Sequence, residues 1–292
     1  MKTILITVFI FFGLNLNAQN RFPFLGDNDL YGVKNDKGNI ILPPKYDFIC
    51  DYAEGVAAVF NGYNHDGSSL HGFIDSMGVE IIPLQYQTAW DFKDGLAKVQ
   101  LNNKWGFIDK TGKIIIPLTY DLIDEFAEGL AVVVNDGMTG FINIKNELVI
   151  PLMYTGAMYF SDGLVGVQTD EGWGFIDKTN RMRIAPIYQR ADVFSEGLCA
   201  VMLHEKFGFI DTTGKTIIPH LYEYVGWCKE GRIVVNQGEL WGYIDKSGMA
   251  ITPIHFRIAQ DYQDNKAFVE LDGRAFYIDL QGKEIPDEDL TN

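Results

Sequence analysis

The chain has 292 residues and a formal net charge of −15, from 39 acidic and 24 basic side chains. This acidic surplus disfavours nucleic acid and anionic membrane surfaces as partners. The sequence has no C-x-x-C, H-E-x-x-H, G-x-S-x-G or P-loop motif, so it gives no support for zinc, thioredoxin-like, serine-hydrolase or phosphate-loop chemistry.

Residues Met1 to Ala18 predict a secretory signal peptide. Lys2 supplies the charged start, Ile4 to Leu14 form an apolar core, and the small Ala18 precedes the expected cut. The apolar run is too short for a spanning helix, although an uncleaved anchor is the alternative. The residue directly after the cut is not a cysteine, which disfavours a lipoprotein anchor. We expect an exported protein, placed in the periplasm, on the outer surface or in the medium.

Residues 19–30 form a lead-in segment with a degenerate first strand at Phe22 to Leu25. A repeat domain then covers residues 31–286, and 287–292 form an acidic tail. The repeated phrase is clearest at Trp105 to Pro117, W-G-F-I-D-K-T-G-K-I-I-I-P. Its first glycine recurs at a constant step after a longer first interval, which indicates a repeat architecture. The first-glycine positions are Gly32, Gly72, Gly106, Gly140, Gly174, Gly208 and Gly242, with Phe276 in the eighth repeat.

Two further glycine positions predict left-handed backbone, because asparagine replaces glycine at both. The second position closes a hairpin turn of the D-K-T-G kind. Its residues are Gly38, Gly78, Gly112, Asn146, Asn180, Gly214, Gly248 and Gly282. The residues at the third position are Gly55, Gly95, Gly129, Gly163, Gly197, Gly231 and Asn265.

Each repeat predicts three antiparallel strands and an irregular crossover. In one repeat the strands are 130–134, 140–143 and 148–150, and the crossover carries a phenylalanine anchor such as Phe160. A recurring proline, Pro151 in this repeat, is expected to end the third strand because it cannot donate to a ladder. The first and third strands are continuous apolar runs, which predicts cover on both faces. We therefore expect each small sheet to lie between its neighbours.

The repeats resemble the bacterial WG, or KWG, repeat, with its pattern W-G-F-I-D-x-x-G-x-x-x-I-P-x-x-Y-D followed by F-x-E-G-L-A. The match extends from Tyr31 to Pro286, although tryptophan itself stands only at Trp105, Trp173 and Trp241. The resemblance implies a β-repeat array of variable copy number with no general activity.

The fold class predicted is all-β: a tandem array of about eight 34-residue, three-stranded antiparallel units, arranged as an open superhelix. Strands covered on both faces also suit a closed β-propeller of seven or eight blades, which is the alternative.

A second period, twice as long, lies within the first. The three tryptophan repeats carry a lysine four residues after the first glycine, namely Lys110, Lys178 and Lys246. The intervening repeats carry Ser76, Ile144 and Thr212 instead. We hypothesise a double unit, which arises either by duplication of a pair of repeats or because alternate repeats meet different surroundings. The second explanation predicts different burial at the Trp position in alternate repeats.

Aromatic residues are the main binding candidates. Tryptophans at the repeated position are interpreted as packing, whereas Trp90 and Trp227 lie outside it and are the predicted exposed contacts. The only sizeable break in the repeat is a polar insertion at 61–69, which holds His65 and Asp66. Those two residues are the remaining binding candidates, and His71 is interpreted as a packing substitute for tryptophan.

The recurring acid of the hairpin turn, Asp109 for example, is expected to accept backbone N–H groups. A ladder of calcium ligands is the alternative, although one carboxylate per repeat falls short of the six to eight oxygens that calcium takes. We expect no resident metal or cofactor. Cys199 and Cys228 fall in adjacent repeats, so either a disulfide or buried free thiols are compatible with export.

These features predict a non-catalytic binding or scaffold protein of the cell envelope or exterior, which presents a repeated β surface to a protein or glycan. The alternative is an envelope enzyme, a glycan-active hydrolase, with its site at the loop 61–69. We expect no nucleic-acid partner and no membrane span after signal cleavage.

Overall fold

The computed structural model describes residues 21–62 and 69–286. The predicted signal peptide, the acidic tail, His65 and Asp66 lie outside these residues. Every regular element that the described residues form is a β-strand, which confirms the all-β prediction. The chain divides into two compact parts, the N-terminal part (residues 1–119) and the C-terminal part (residues 120–292).

The N-terminal part contains three sheets in chain order, and none of them closes into a barrel. Sheet 1 contains β1 (Arg21–Leu25), β2 (Tyr31–Asn35) and β3 (Ile40–Tyr46). Sheet 2 contains β4 (Phe48–Ile49), β5 (Val56–Asn61), β6 (Leu70–Asp75) and β7 (Glu80–Tyr86). Sheet 3 contains β8 (Thr88–Ala89), β9 (Leu96–Leu101), β10 (Lys104–Asp109) and β11 (Ile114–Tyr120).

The C-terminal part continues the same pattern. Sheet 4 contains β12 (Leu122–Ala127), β13 (Leu130–Asn135), β14 (Met138–Ile142) and β15 (Leu148–Tyr154). Sheet 5 contains β16 (Gly156–Ala157), β17 (Leu164–Thr169), β18 (Gly172–Asp177) and β19 (Met182–Tyr188). Sheet 6 contains β20 (Arg190–Ala191), β21 (Leu198–Leu203), β22 (Lys206–Asp211) and β23 (Thr216–Tyr222). Sheet 7 contains β24 (Tyr224–Val225), β25 (Arg232–Gln237) and β26 (Leu240–Asp245). Sheet 8 contains β27 (Ile258–Ala259), β28 (Lys266–Leu271), β29 (Arg274–Asp279) and β30 (Glu284–Ile285).

Both predicted left-handed positions are confirmed. Residues at the second position have φ between 61° and 86°, and those at the third have φ between 60° and 87°. The first-glycine position has a different cause, since a Cβ at Gly208 would lie 2.6 Å from the carbonyl oxygen of Ile218. Close approach of the neighbouring backbone, rather than a positive φ, therefore requires glycine there.

The expectation that proline ends the third strand is wrong. Pro219 lies inside β23, and the strand continues to Tyr222. Phe207 pairs with Tyr222 and Phe209 with Ile218, so two extra residues of β23 form a bulge between these pairs. A bulge tolerates proline because the ladder is interrupted there.

The predicted burial of the third strand is also wrong. In β11, Ile116 is buried, but Ile114 is 53% exposed. The strands covered on both faces are the first and the second. In β17, for example, the four consecutive residues from Leu164 to Val167 are all buried, although neighbouring residues point to opposite faces. The third strand, which lies at the end of its sheet, is therefore covered only in part.

A further short strand was not predicted; it has two residues in sheets 2, 3 and 5 to 8, and six residues in sheet 4, where it is β12. It lies in the crossover, which the sequence presented as irregular, and pairs with the first strand of the next repeat. In sheet 5, Gly156 pairs with Gln168 and Ala157 with Val167. This pairing fixes the crossover against the sheet that follows it.

Packing between sheets confirms that neighbouring copies shield one another. One core of the C-terminal part joins Val132 and Phe141 of sheet 4 to Phe160, Val167 and Ile176, which belong to sheet 5 and its crossover. The predicted anchor Phe160 meets Phe141 edge to face at 5.2 Å between ring centroids. Such a pair adds stability beyond the area that it buries.

The predicted alternation in burial at the Trp position is wrong. Trp105 and Trp173 are partly buried, and so are His71 and Phe207 of the intervening repeats. Thr139 is buried, because its small side chain lies below the surface that the larger residues reach.

Candidate functional site

The crossovers carry two positions that the repeat does not fix. They precede the aromatic anchor position and follow the short strand, except that Asp124 and Glu125 lie within β12, and we call them the crossover pairs. The pairs are Cys50 with Asp51, Trp90 with Asp91, Asp124 with Glu125, Met158 with Tyr159, Asp192 with Val193, Gly226 with Trp227, and Gln260 with Asp261. Their side chains differ from repeat to repeat, which makes these positions the variable part of the scaffold.

In the N-terminal part, Trp90 is 55% exposed. Its backbone N–H donates to the carbonyl oxygen of Lys98 at 2.9 Å, which fixes the crossover against β9. The Lys98 ammonium lies 4.9 Å from the Trp90 ring centroid and 5.5 Å from that of Trp105. Lys98 thus makes cation–π contacts with the exposed Trp90 and the partly buried Trp105.

In the C-terminal part, Trp227 is 43% exposed. Its indole Nε1 donates to Asp192 Oδ2 at 2.7 Å, across successive crossovers. The Lys229 ammonium lies 5.3 Å from the ring centroid. The ring is thus oriented by a carboxylate from the preceding crossover while part of its surface stays accessible.

Asp261 joins this group from the following crossover. A Cβ at Gly226 would lie 2.0 Å from Asp261 Oδ1, so glycine at this position allows the carboxylate to lie against the backbone beside Trp227. That buried oxygen accepts no hydrogen bond from the residues described. Burial raises the pKa of Asp261 and the Asp192 carboxylate raises it further, against the opposing effect of Lys229. We call Asp192, Trp227, Lys229 and Asp261 the Trp227 cluster.

The acids next to the third glycine have a different role. Glu128 accepts the Gly163 N–H at 3.1 Å, and Asp162 accepts the Gly197 N–H at 2.9 Å. Glu196 continues the series one sheet further along, on the Gly231 N–H at 3.0 Å. Each carboxylate thereby ties its turn to the next, and we call this series the carboxylate ladder.

The double-length period has its physical counterpart on this ladder. Lys178 donates to the carbonyl oxygen of Glu128 at 2.8 Å and forms an ion pair with its carboxylate at 3.0 Å. Lys110 forms the same two contacts with Glu54 in the N-terminal part, and Lys246 contacts Glu196. Every second carboxylate is therefore held by a lysine.

The hairpin acids cap their own turns, as predicted. Asp177 Oδ1 accepts the Thr179 N–H at 2.9 Å, the Thr179 hydroxyl at 2.6 Å and the Arg181 N–H at 3.1 Å. The Thr179 hydroxyl is the largest contributor that lowers the pKa of Asp177. Across residues 21–62 and 69–286, no three histidine, cysteine, aspartate or glutamate side chains converge as a metal site.

The three cysteines are free thiols, so Cys199 and Cys228 form no disulfide. Cys228 takes the place of the phenylalanine anchor and is buried, which raises the pKa of its thiol to about 12. Cys199 is buried in β21, and burial raises its pKa as well. Both side chains act as small apolar residues in the core.

The sequence located part of this site. Trp90 and Trp227 are exposed, and their role in binding stays a prediction. Asp192, Lys229 and Asp261 were missed, although comparison of equivalent crossover positions in successive repeats would have aligned Trp227 with Asp261. His65 and Asp66 lie outside the described residues, so the predicted site at the insertion rests on sequence. His71 lies 4.9 Å from Phe60 between ring centroids, which fits packing.

Comparison with known proteins identifies the class. A family model for the WG containing repeat matches residues 31–64, 72–105, 105–138, 140–172, 173–207, 207–241 and 241–274. These matches span most of the chain and agree with an all-β array of small antiparallel sheets. The chain belongs to the WG repeat family.

Similarity to solved structures is found at low identity. The crystal structure of a eukaryotic initiation factor shares the fold and is 11% identical, with a TM-score of 0.55 over 92% of this chain and 84% of that chain. A structure of KlHsv2 with loop 6CD replaced by a Gly-Ser linker is 9% identical, with a TM-score of 0.47 over 82% and 94% of the two chains. No curated protein matches the chain in sequence. Within the described residues, no helix has the length and apolarity needed to cross a membrane.

Proposed function

We propose that the protein is an exported, non-catalytic binding or scaffold protein that presents its crossover pairs to a protein or glycan partner. The observation that carries the proposal is the exposure of Trp90 and Trp227 at variable positions of a scaffold whose repeated side chains pack or cap turns. Exposed, oriented tryptophans are typical anchors of binding surfaces.

The chemistry of the repeated groups supports a non-catalytic role. Ladder and hairpin carboxylates, such as Glu128 and Asp177, accept backbone N–H groups and have lowered pKa values, so they are poor proton donors near neutral pH. The Cys199 and Cys228 thiols are buried with raised pKa values, which suppresses the thiolate that nucleophilic attack requires.

Export is supported by the charged start, apolar core and small Ala18 of the first residues. Expression of the full chain in a bacterial host, with fractionation and amino-terminal sequencing, tests this part. We expect the mature protein to begin at Gln19 outside the cytoplasm. An intact Met1 on cytoplasmic protein would contradict it.

A pull-down from intact cell envelopes, with a glycan array beside it, tests binding. The full chain is compared with Trp90→Ala, Trp227→Ala and the control Tyr224→Ala, which removes an aromatic side chain that is 62% exposed outside the crossover pairs. We expect the tryptophan variants to lose partners that the control retains. Equal retention by all variants, or cleavage of a glycan on the array, would overturn the proposal.

A further inference from the structure

The crossover pairs share a charge pattern. Across the chain they contain several acids and no lysine or arginine. The acids are Asp51, Asp91, Asp124, Glu125, Asp192 and Asp261. They differ from the ladder and hairpin acids because the repeat does not require them. Asp91 follows the exposed Trp90, and Asp192 accepts a hydrogen bond from the exposed Trp227. A surface of this composition is complementary to a cationic partner.

The Trp227 cluster shows which cation the surface suits. Its indole is oriented by Asp192 at 2.7 Å, and Asp261 of the next crossover lies against the backbone of Gly226, the residue before Trp227. A guanidinium group is planar, stacks on an indole and donates in a fork to carboxylates, so one arginine side chain can use the ring and an acid together. Gly226 supports this reading because any larger residue would displace the Asp261 carboxylate.

Lys229 is a resident cation at the same place. Its ammonium lies 5.3 Å from the Trp227 ring centroid, within the range of a cation–π contact. An ammonium on a flexible stem lacks the planar fork of arginine, so an incoming guanidinium can replace it at the ring. Lys229 is therefore a competitor of the ligand rather than part of the recognition.

We propose that Trp227 and the acids of the Trp227 cluster, Asp192 and Asp261, bind an arginine side chain of a basic polypeptide segment, which displaces Lys229 from the ring. This inference rests on the proposed binding function and names its partner class. Packed sheets lie about 10 Å apart and an extended chain advances about 3.3 Å per residue. Arginines three residues apart on an extended segment therefore have the spacing that packed sheets usually have, which sets the spacing of the test peptide.

Calorimetric titration and tryptophan fluorescence test this with the full chain and synthetic nine-residue peptides. The probes repeat Arg-Gly-Ser, Lys-Gly-Ser or Glu-Gly-Ser three times, and cellohexaose serves as the neutral sugar. We expect the arginine peptide to bind and quench tryptophan fluorescence, the lysine peptide to bind more weakly, and the other two probes not to bind. Trp227→Ala and Asp261→Asn should each weaken binding about tenfold.

Asp272→Asn is the matched control, since Asp272 is an exposed acid with a left-handed φ of 51°, which asparagine also tolerates. It changes net charge as Asp261→Asn does and should leave affinity unchanged. Lys229→Ala should strengthen binding about threefold because it removes the competing cation. Near-UV circular dichroism verifies the fold of each variant.

If Asp261→Asn and Asp272→Asn weakened binding of the arginine peptide equally, net charge alone would explain the loss, and the proposal would be overturned. Binding of cellohexaose that depends on Trp227 would assign the cluster to a glycan instead. If the arginine peptide fails to bind while an envelope partner is still lost in Trp227→Ala, this inference fails and the proposed binding function stands. If the arginine peptide does not bind and Trp227→Ala also retains every envelope partner, both this inference and the proposed binding function fail.

Discussion

The carboxylate ladder and the crossover pairs lie in the same crossovers but differ in almost every property. Glu230 of the ladder accepts the Asn265 N–H at 2.9 Å, and an acid recurs at this position in successive repeats. Trp227, three residues earlier, is oriented by Asp192 and has no tryptophan at its equivalent positions. The ladder holds successive turns together, whereas the crossover pairs are positions whose side chains vary from one repeat to the next.

This contrast teaches where function is to be sought in a repeat protein. A side chain that recurs in every repeat meets the same surroundings in every sheet, so packing or turn geometry explains it. A side chain that departs from the pattern while staying exposed is free of that structural requirement. Single substitutions should therefore affect stability at repeated positions and affinity at variable, exposed positions.

The largest effect is expected for a repeated position. In Gly174→Ala the new Cβ would lie 2.7 Å from the carbonyl oxygen of Ile184, so the third strand must shift. We expect a loss of about 3 kcal/mol in the free energy of unfolding, measured by urea titration. Gly163→Ala is the control: no atom lies within 4 Å of its Cβ, and its left-handed φ of 78° costs only about 1 kcal/mol. Equal losses would contradict the close-approach explanation.

The carboxylate ladder is expected to have a smaller effect. Glu128→Ala removes the acceptor of the Gly163 N–H and the partner of Lys178. We expect a loss of about 1 kcal/mol in the free energy of unfolding, because the pair is partly exposed to water. Glu171→Ala removes an exposed acid from the β17–β18 turn, and its urea midpoint should stay at the wild-type value. A neutral Glu128→Ala would show that the ladder does not stabilise the stack.

Acid should weaken the same contacts in a defined direction. Burial opposes the shift at Glu128, but the Gly163 N–H and the Lys178 ammonium outweigh it and lower its pKa. A lowered folded-state pKa gives stability that is present above the unfolded pKa and lost as pH falls through the folded value. Wild-type protein should therefore lose stability between about pH 5 and pH 3.

Asp177→Asn should reduce this acid dependence by a small amount, since the pKa of Asp177 is lowered by the Thr179 hydroxyl and the turn N–H groups. Unfolding midpoints measured at pH 7 and pH 4 give the comparison. The difference between the two midpoints should be smaller in the variant than in wild type. An unchanged or larger difference between the two midpoints would show that the hairpin acids do not contribute to the loss of stability in acid.

The repeat made much of the fold predictable. Glycine replaced by asparagine at Asn146 and Asn265 indicated positive φ, and both residues adopt it. The prediction that proline ends the third strand was wrong. Proline is excluded from regular ladder positions, but Pro219 lies in a bulge, and the strand continues beyond it. Two-residue strands such as β16 were missed because so short a segment has no hydrophobic period to detect.

The site was less predictable than the fold. Trp90 and Trp227 stood out because they departed from the repeated tryptophan. Asp192 and Asp261 did not, since acids are common throughout this chain. Only the packing of successive crossovers brings Asp192 to Trp227 and Asp261 to Gly226. The role of Glu128 was hidden for a related reason: the sequence shows a turn, but not the neighbouring turn that its carboxylate contacts.

The central claim is that repeated residues build the stack and variable crossover residues bind. Measuring both unfolding free energy and affinity for the arginine peptide in Glu128→Ala and Trp227→Ala tests it most directly. We expect Glu128→Ala to lose about 1 kcal/mol of stability with unchanged affinity, and Trp227→Ala to lose about tenfold in affinity with nearly unchanged stability. If each variant changed both quantities together, the separation of scaffold from binding surface would be contradicted.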